Sequence, residues 1–258
     1  MVKAYLADRI HQMHPNLTVK MDRVRPVLPP GLKLYDVSVY HLGRHVAELE
    51  GLKIKPDILS LFSATTHLTF DGESYGGVIK GDIDLTGNAS QSDVVVDADL
   101  AGVQVSRIDA LRSLTTHKIS GNLNANLRFE ANAPGEALAG NLTLTNGQIE
   151  FSAPIMKENL INFDTIEAEM IFDGRSLTIQ RCRFNGDLLD ADVTGSITFG
   201  GRLARKILDL SGTVMPHATL LAKLGPNVVE LIERRKLQGQ GIPFKIKGTL
   251  DSPNYSFY

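Results

Sequence analysis

The chain has 258 residues, 43% of them hydrophobic, which is enough for one large domain or two modest ones. Its formal net charge of -2 gives no general electrostatic reason to bind nucleic acid or an anionic membrane surface. The single cysteine, Cys182, excludes an intrachain disulfide, and the lack of tryptophan argues against an outer-membrane barrel with aromatic girdles.

The beginning of the chain predicts a short amphipathic helix. Its apolar residues recur at helical spacing, and Pro15 ends the pattern. No stretch of the sequence reaches the roughly 18 apolar residues of a transmembrane helix, and the N-terminus lacks the apolar centre of a signal peptide. We expect the helix over residues 1–14 to follow a transmembrane segment that precedes this sequence.

From Asn16 onward, alternation of apolar and polar residues predicts strand after strand. The pattern is clearest in KISGNLNANLRFEA, residues 118–131, where Asn122, Asn124 and Asn126 are expected in water. An antiparallel sheet that is solvated on one side produces such alternation. The apolar positions that we expect on the concave side, as a lipid groove or as a core, are Val94, Val96, Ile119, Leu123, Leu127, Phe129, Leu189, Val193, Ile197, Phe199, Phe244 and Ile246.

Short helices interrupt the predicted strands. Three of them follow the same order of features, namely a strand, a Leu-x-Gly step at Gly51, Gly102 or Gly212, an apolar pair and then the helix. We predict a mainly β fold, with a long, strongly curved antiparallel sheet in a single domain over 1–258 and a few short helices plugging one side or end. The predicted helices cover residues 55–64, 106–114, 216–225 and 227–237.

Pairs of histidines and of aspartates are the candidate metal ligands. Neither histidine pair has a third ligand near it in sequence, which favours surface histidines over a metal site. Each aspartate pair has i, i+2 spacing, which places both carboxylates on the wet face of a strand and favours a solvated surface over a calcium site. The pairs are His11 and His14, His41 and His45, Asp82 and Asp84, and Asp97 and Asp99.

Cys182 is the candidate nucleophile. It lies between Arg181 and Arg183 on a predicted strand, and nearby cations can lower the pKa of a thiol. A lone strand cysteine is more often a small packing residue, which is the interpretation we favour. The sequence contains neither a Gly-x-Ser-x-Gly elbow nor a phosphate-binding loop. We therefore predict a protein that is not an enzyme and that carries no cofactor.

Three motifs stand out in the first third of the chain, namely LPPGLKL at 28–34, LKIKPDILSLFS at 52–63 and GGVIKGDIDL at 76–85. Through them, the stretch from Val24 to Gly87 resembles the bacterial type II secretion system protein N family, and the resemblance continues more weakly over residues 102–130. The ending IPFKIKGTLDSPNYSF at 242–257 is similar to the endings of AsmA-like envelope proteins, in which an apolar strand leads into Gly-Thr-Leu and a proline. All of these motifs are structural, and none of them is catalytic.

The resemblance implies a periplasmic β-rich domain that is tethered to the bacterial inner membrane by one N-terminal transmembrane helix. It implies a non-enzymatic role in the assembly or function of the machinery that exports folded proteins, with other secretion or envelope proteins as partners. AsmA-like relatives form a taco-shaped sheet whose apolar groove suits acyl chains. The alternative is therefore an AsmA-like protein that binds or transfers lipid. Neither function involves nucleic acid.

Overall fold

Strands form nearly the whole of the described structure. The computed structural model describes residues 3, 17–28, 30–41, 43–88, 91–114, 117–132, 135–155, 158–200, 206–222, 241–250 and 252–258. These residues are 81% strand, in an antiparallel sheet of 15 strands that is not closed, with two short helices. The predicted mainly β fold with an antiparallel sheet is confirmed, and its strong curvature stays a prediction.

Successive hairpins build the sheet. From β3 to β15, each strand pairs with the next one along the chain, while β1 and β2 both pair with β3. The strands are β1 (Leu17–Lys20), β2 (Arg23–Val27), β3 (Gly31–His41), β4 (Arg44–Pro56), β5 (Thr65–Ser74), β6 (Gly77–Asn88), β7 (Gln91–Gln104), β8 (Lys118–Asn132), β9 (Gly135–Ile155), β10 (Glu158–Phe172), β11 (Ser176–Gly186), β12 (Leu189–Phe199), β13 (Lys206–Pro216), β14 (Ile242–Thr249) and β15 (Ser252–Phe257).

Residue contacts divide the chain into two compact units. Unit 1 comprises Met1–Leu114 and Leu123–Leu138, and unit 2 comprises Thr115–Asn122 and Ala139–Tyr258. Strands β8 and β9 therefore contribute residues to both units. The single domain expected over 1–258 stays a prediction.

The core of unit 1 lies where the first strands meet. Met21, Leu34, Val37 and Leu49 are buried together there. The strands β1 and β2 are separated at Met21, whose side chain is buried in this core. On the neighbouring strand, Asp36 adopts a positive φ of 50°. Met21, Leu34 and Val37 are all buried in the same core, although their spacing does not follow a regular strand alternation.

The described helices are shorter than the sequence predicts. The helix predicted over 55–64 is a 3₁₀ turn at Ser60–Phe62, because the Ser60 hydroxyl donates to the Asp57 carbonyl (2.7 Å) and accepts from the His67 N–H (2.8 Å). The segment 106–114 forms a 3₁₀ turn at Val105–Arg107 and then helix α1, and 216–225 contributes helix α2. The helices are α1 (Asp109–Leu114) and α2 (Ala218–Leu221).

Two further predicted helices lie outside the described residues. One is the helix over 227–237, and the other is the N-terminal helix over 1–14, of which the structure describes Lys3 alone. Within the described ranges, none of the helices has the length and the apolar character that a bilayer-spanning helix needs.

Glycines in the strands of both units accommodate aromatic rings on the apolar side of the sheet. In unit 2, a Cβ added at Gly212 would collide with the carbonyl oxygen of Asp192 and would lie 3.1 Å from Cζ of Phe244, its cross-strand partner. In unit 1, a Cβ added at Gly81 would lie 2.9 Å from Cζ of Phe70. The missing side chain thus lets a ring cover the strand backbone.

We predict that Gly212→Ala lowers the free energy of unfolding by about 1–3 kcal/mol, because strand β12 or the Phe244 ring must shift to admit the methyl group. The measurement is urea unfolding followed by circular dichroism. Gly135→Ala is the matched control, since a Cβ at Gly135 meets no atom within 4 Å. Equal midpoints for the two variants would contradict the packing described here.

Candidate functional site

The strand register of unit 2 arranges apolar side chains into three rows that cross β10 to β15. Directly opposed residues of antiparallel strands lie on the same face of the sheet. We call these three rows the apolar face of unit 2. The rows are Ala168, Cys182, Val193, Gly212, Phe244 and Phe257; then Met170, Ile179, Gly195, Leu210, Ile246 and Tyr255; then Phe172, Leu177, Ile197, Leu208, Gly248 and Pro253.

Most side chains on the apolar face of unit 2 are only partly buried. Ala168 and Leu208 are buried, but most of the other side chains in the rows are half-buried. Exposure is greatest on β15, where Tyr255 is 44% and Phe257 is 52% accessible. Half-buried apolar side chains in adjacent rows leave contiguous surface on which another apolar molecule can pack.

Helix α2 covers one end of this face. Its Leu220 side chain is 1% exposed and forms a buried cluster with Ile161 and Leu188, against which Phe184 and Leu189 also pack. The N–H of His217, just before the helix, donates to the carbonyl of Leu188 at 2.8 Å. In unit 2, therefore, a short helix does plug one end of the apolar side, as the sequence predicts.

The opposite face of unit 2 is polar. Arg183 and Asp192 are cross-strand partners, with Nε 3.5 Å from the carboxylate. Lys247 lies 3.7 Å from Asp209 in the same way. All four side chains are exposed, so these ion pairs contribute little stability. Their main effect is to keep one face of the sheet in water.

The six predicted residues of β12 and β14 share the apolar side of unit 2. Four of them belong to the three rows. Leu189 packs against the cluster under α2, and the Phe199 ring lies at the far end, 5.8 Å from the Phe172 ring between centroids. The residues in the rows are Val193, Ile197, Phe244 and Ile246.

The other predicted residues fall mainly in unit 1. Val94 is buried opposite Leu85, and Val96 is half-buried opposite Ile83. On β8, Ile119 belongs to unit 2 and the remaining three residues belong to unit 1, and all four are half-buried. The twelve predicted residues are thus divided between the two units. The three residues of β8 in unit 1 are Leu123, Leu127 and Phe129.

The polar face of β8 carries hydrogen bonds to the neighbouring strand. Asn122, Asn124 and Asn126 are exposed, as the alternation predicts. Oδ1 of Asn124 accepts from the backbone N–H of Gly102 at 3.0 Å, and Nδ2 of Asn126 donates to Asp99. These amides therefore connect β8 to the solvated side of β7.

The aspartate pairs lie on the polar face of unit 1, as expected. Asp82 is directly opposite Asp97, whose carboxylate lies 2.7 Å from Nη1 of Arg128. His67 Nδ1 lies 2.7 Å from Asp84 and Nε2 lies 3.5 Å from Asp82. The hydrogen bond to Asp84 raises the pKa of His67. Arg128 and His67 thus offset part of the carboxylate charge on the neighbouring strands.

The candidate metal ligands do not assemble in the part of the chain that the structure describes. No three His, Cys, Asp or Glu side chains in that part form a group that could hold a metal ion. The centroids of the His45 and Tyr40 rings lie 5.3 Å apart. Nε2 of His41 lies 3.5 Å from the carboxylate of Glu136. His11 and His14 lie outside the described residues.

Cys182 has the surroundings of a packing residue. It is half-buried on the apolar face, between its cross-strand partners Ala168 and Val193. Arg181 and Arg183 are exposed, because neighbouring residues of a strand point to opposite faces. Burial raises the pKa of the thiol, so the alternative in which the arginines lower it is wrong.

The sequence prediction missed β15. SPNYSF contains few apolar residues and follows a turn, so it has the composition of a tail. The signal that could have identified it is the alternation of Pro253, Tyr255 and Phe257, which continues the three rows to the edge of the sheet.

Comparisons of the chain with models of protein families, with curated proteins and with solved structures find no match. The resemblance to the protein N family therefore stays a prediction. Two surfaces of unit 2 can support a function, namely its apolar face and the edge strand β15.

Proposed function

We propose that the chain is a non-enzymatic periplasmic domain of an inner-membrane-anchored type II secretion system component of the protein N kind. In this proposal it acts in assembly or function of the export machinery by binding other envelope proteins. The resemblance supplies the cellular context. The observation that supports a docking role is the open edge of the sheet at β15.

Strand β15 offers a backbone to a partner strand. It is the last strand in the sheet order, and among the described strands it pairs with β14 alone. An exposed edge of this kind can accept an additional strand from another protein. Tyr255 and Phe257 lie on the apolar side of this edge, while Asn254 and Ser256 lie on the other side. A partner strand with alternating apolar residues would extend the apolar face by one strand.

A photo-crosslinking experiment in cells tests this docking role. We expect a benzophenone amino acid at Ser256, on the edge strand, to crosslink the membrane-anchored protein to another secretion component. The same probe at Thr194, an exposed position on β12, which pairs with strands on both sides, is the matched control and should give no adduct. Crosslinking at neither position, or equally at both, would contradict docking through β15.

The second candidate function is lipid binding on the apolar face of unit 2, and the half-buried rows support it. Six strands at about 4.8 Å spacing make each row about 24 Å long, which suits an extended acyl chain. Each buried methylene group would contribute about 0.8 kcal/mol. The rows contain no charged side chain, so an acyl chain would meet an apolar lining along its length.

Fluorescence quenching tests the lipid function, since the chain has no tryptophan of its own. We expect a brominated fatty acid to quench, saturably, the indole introduced by Phe244→Trp, because residue 244 lies within the first row. Lys245→Trp is the matched control, since the next residue of the strand points to the polar face and should be quenched little. Equal quenching of the two variants, or none, would contradict lipid binding and leave the docking role intact.

A further inference from the structure

Unit 1 displays large apolar side chains at the turn between β4 and β5. Leu59 is 81% and Phe62 is 87% exposed, and Ile58 beside them is also exposed. The turn is held in place, because the N–H of Leu59 donates to Oδ1 of Asp57 at 3.0 Å and the N–H of Ser63 donates to the carbonyl of Ser60 at 3.0 Å. These side chains are therefore presented to solvent by a hydrogen-bonded turn.

A further exposed apolar residue, from another turn, lies at the same end of the sheet. Leu28, in the turn between β2 and β3, is 94% exposed. The pairing of Leu32 with Ile54 places this turn beside the end of β4, from which the 3₁₀ turn continues. We call these residues the apolar tip, and its members are Leu28, Ile58, Leu59 and Phe62.

The exposure is greater here than in the other two copies of the strand-to-helix pattern. In the copy that leads to α1, Ile108 and Leu111 are half-buried, and in the copy that leads to α2, Leu220 and Leu221 are buried. The same arrangement of sequence features can therefore turn its apolar side chains inward. An exposed cluster that the fold is able to bury elsewhere indicates contact with an apolar environment outside the chain.

A line of positive charges lies next to the apolar tip, on the polar face. Arg25 is directly opposite Lys33, and Lys33 is directly opposite Lys53. We call these three residues the basic row. Like charges directly opposite one another destabilise a sheet, so a bound anion would stabilise this row. Tyr35 lies beside it, with Nζ of Lys33 5.2 Å from the ring centroid.

The centre of the basic row is Lys33, whose cross-strand neighbours Arg25 and Lys53 are both cationic. The acidic residues of β5 lie at the Lys53 end, where Asp71 is opposite Lys53 and 3.7 Å from Lys55, and Glu73 is opposite Gly51 on the same face. Asp22 and Asp36 lie toward the Tyr35 end, away from the apolar tip.

We propose that this end of unit 1 docks on an anionic lipid bilayer, with the apolar tip in the boundary between headgroups and acyl chains and the basic row against the phosphates. Leu28 of the apolar tip follows Arg25 of the basic row by three residues, about 10 Å along the chain, which matches the depth to which interfacial segments are buried. In a bilayer, the acyl chains and the headgroup phosphates are separated by a similar distance, with the acyl chains on the side of the apolar tip and the phosphates on the side of the basic row. The inference does not rest on the proposed function, because its residues belong to neither β15 nor the apolar face of unit 2.

Vesicle binding tests this proposal. We expect the indole introduced by Phe62→Trp to shift its emission to the blue with vesicles of phosphatidylglycerol and phosphatidylcholine in equal parts, and not with phosphatidylcholine alone. Ile207→Trp, at an exposed position of unit 2, is the control and should not shift. An unchanged emission of the Phe62→Trp variant with anionic vesicles would overturn the proposal.

A charge-matched pair of triple variants tests the basic row. Arg25→Gln with Lys33→Gln and Lys53→Gln should weaken binding to the anionic vesicles on the order of 100-fold. Arg181→Gln with Lys245→Gln and Lys247→Gln removes the same charge from exposed sites of unit 2 and should change binding less than about 3-fold. Equal losses in the two triples would overturn the proposal. Binding of polyglutamate as tightly as vesicles, without a blue shift, would overturn it in favour of an acidic protein partner.

Discussion

Cross-strand register is the constraint on which the other features of this structure depend. In an antiparallel sheet, opposed residues share a face, so the pairing of Val193 with Gly212 and of Gly212 with Phe244 decides what lies on the apolar side. A slip of one residue would bring Asp192 or Lys245 to that side, at a large cost in desolvation. Gly212 strengthens this choice, because a Cβ at residue 212 would overlap the carbonyl oxygen of Asp192 and lie 3.1 Å from Cζ of Phe244.

The same register also determines which apolar and charged side chains are exposed. A sheet with one apolar face is stable only when something packs against that face. In unit 2, the buried Leu220 of helix α2 performs this role at one end, while the rows beyond it are half-buried and end at Tyr255 and Phe257. In unit 1, the register also places Arg25, Lys33 and Lys53 side by side. Apolar surface and positive charge thus result from the alternation that builds the fold.

Local alternation made the strands and their faces predictable, because the period of two is visible within a single segment such as residues 118–131. The helix over 55–64 was predicted too long because apolar spacing cannot report the hydrogen bonds of Ser60, which fix a single turn. The basic row could not be predicted from composition or from the net charge of -2, since its three residues are separated along the chain and become neighbours only through pairing. Strand β15 was missed because an edge strand needs few apolar residues.

The central claim is that the apolar face of unit 2 is an accessible binding surface and not a closed core. Native mass spectrometry of the chain, purified without detergent and then extracted for lipid, tests this most directly. The account predicts a fraction of molecules carrying the added mass of a lipid or fatty acid, which organic extraction removes. A single species at 28.2 kDa, with nothing in the extract and no uptake of added fatty acid, would contradict it.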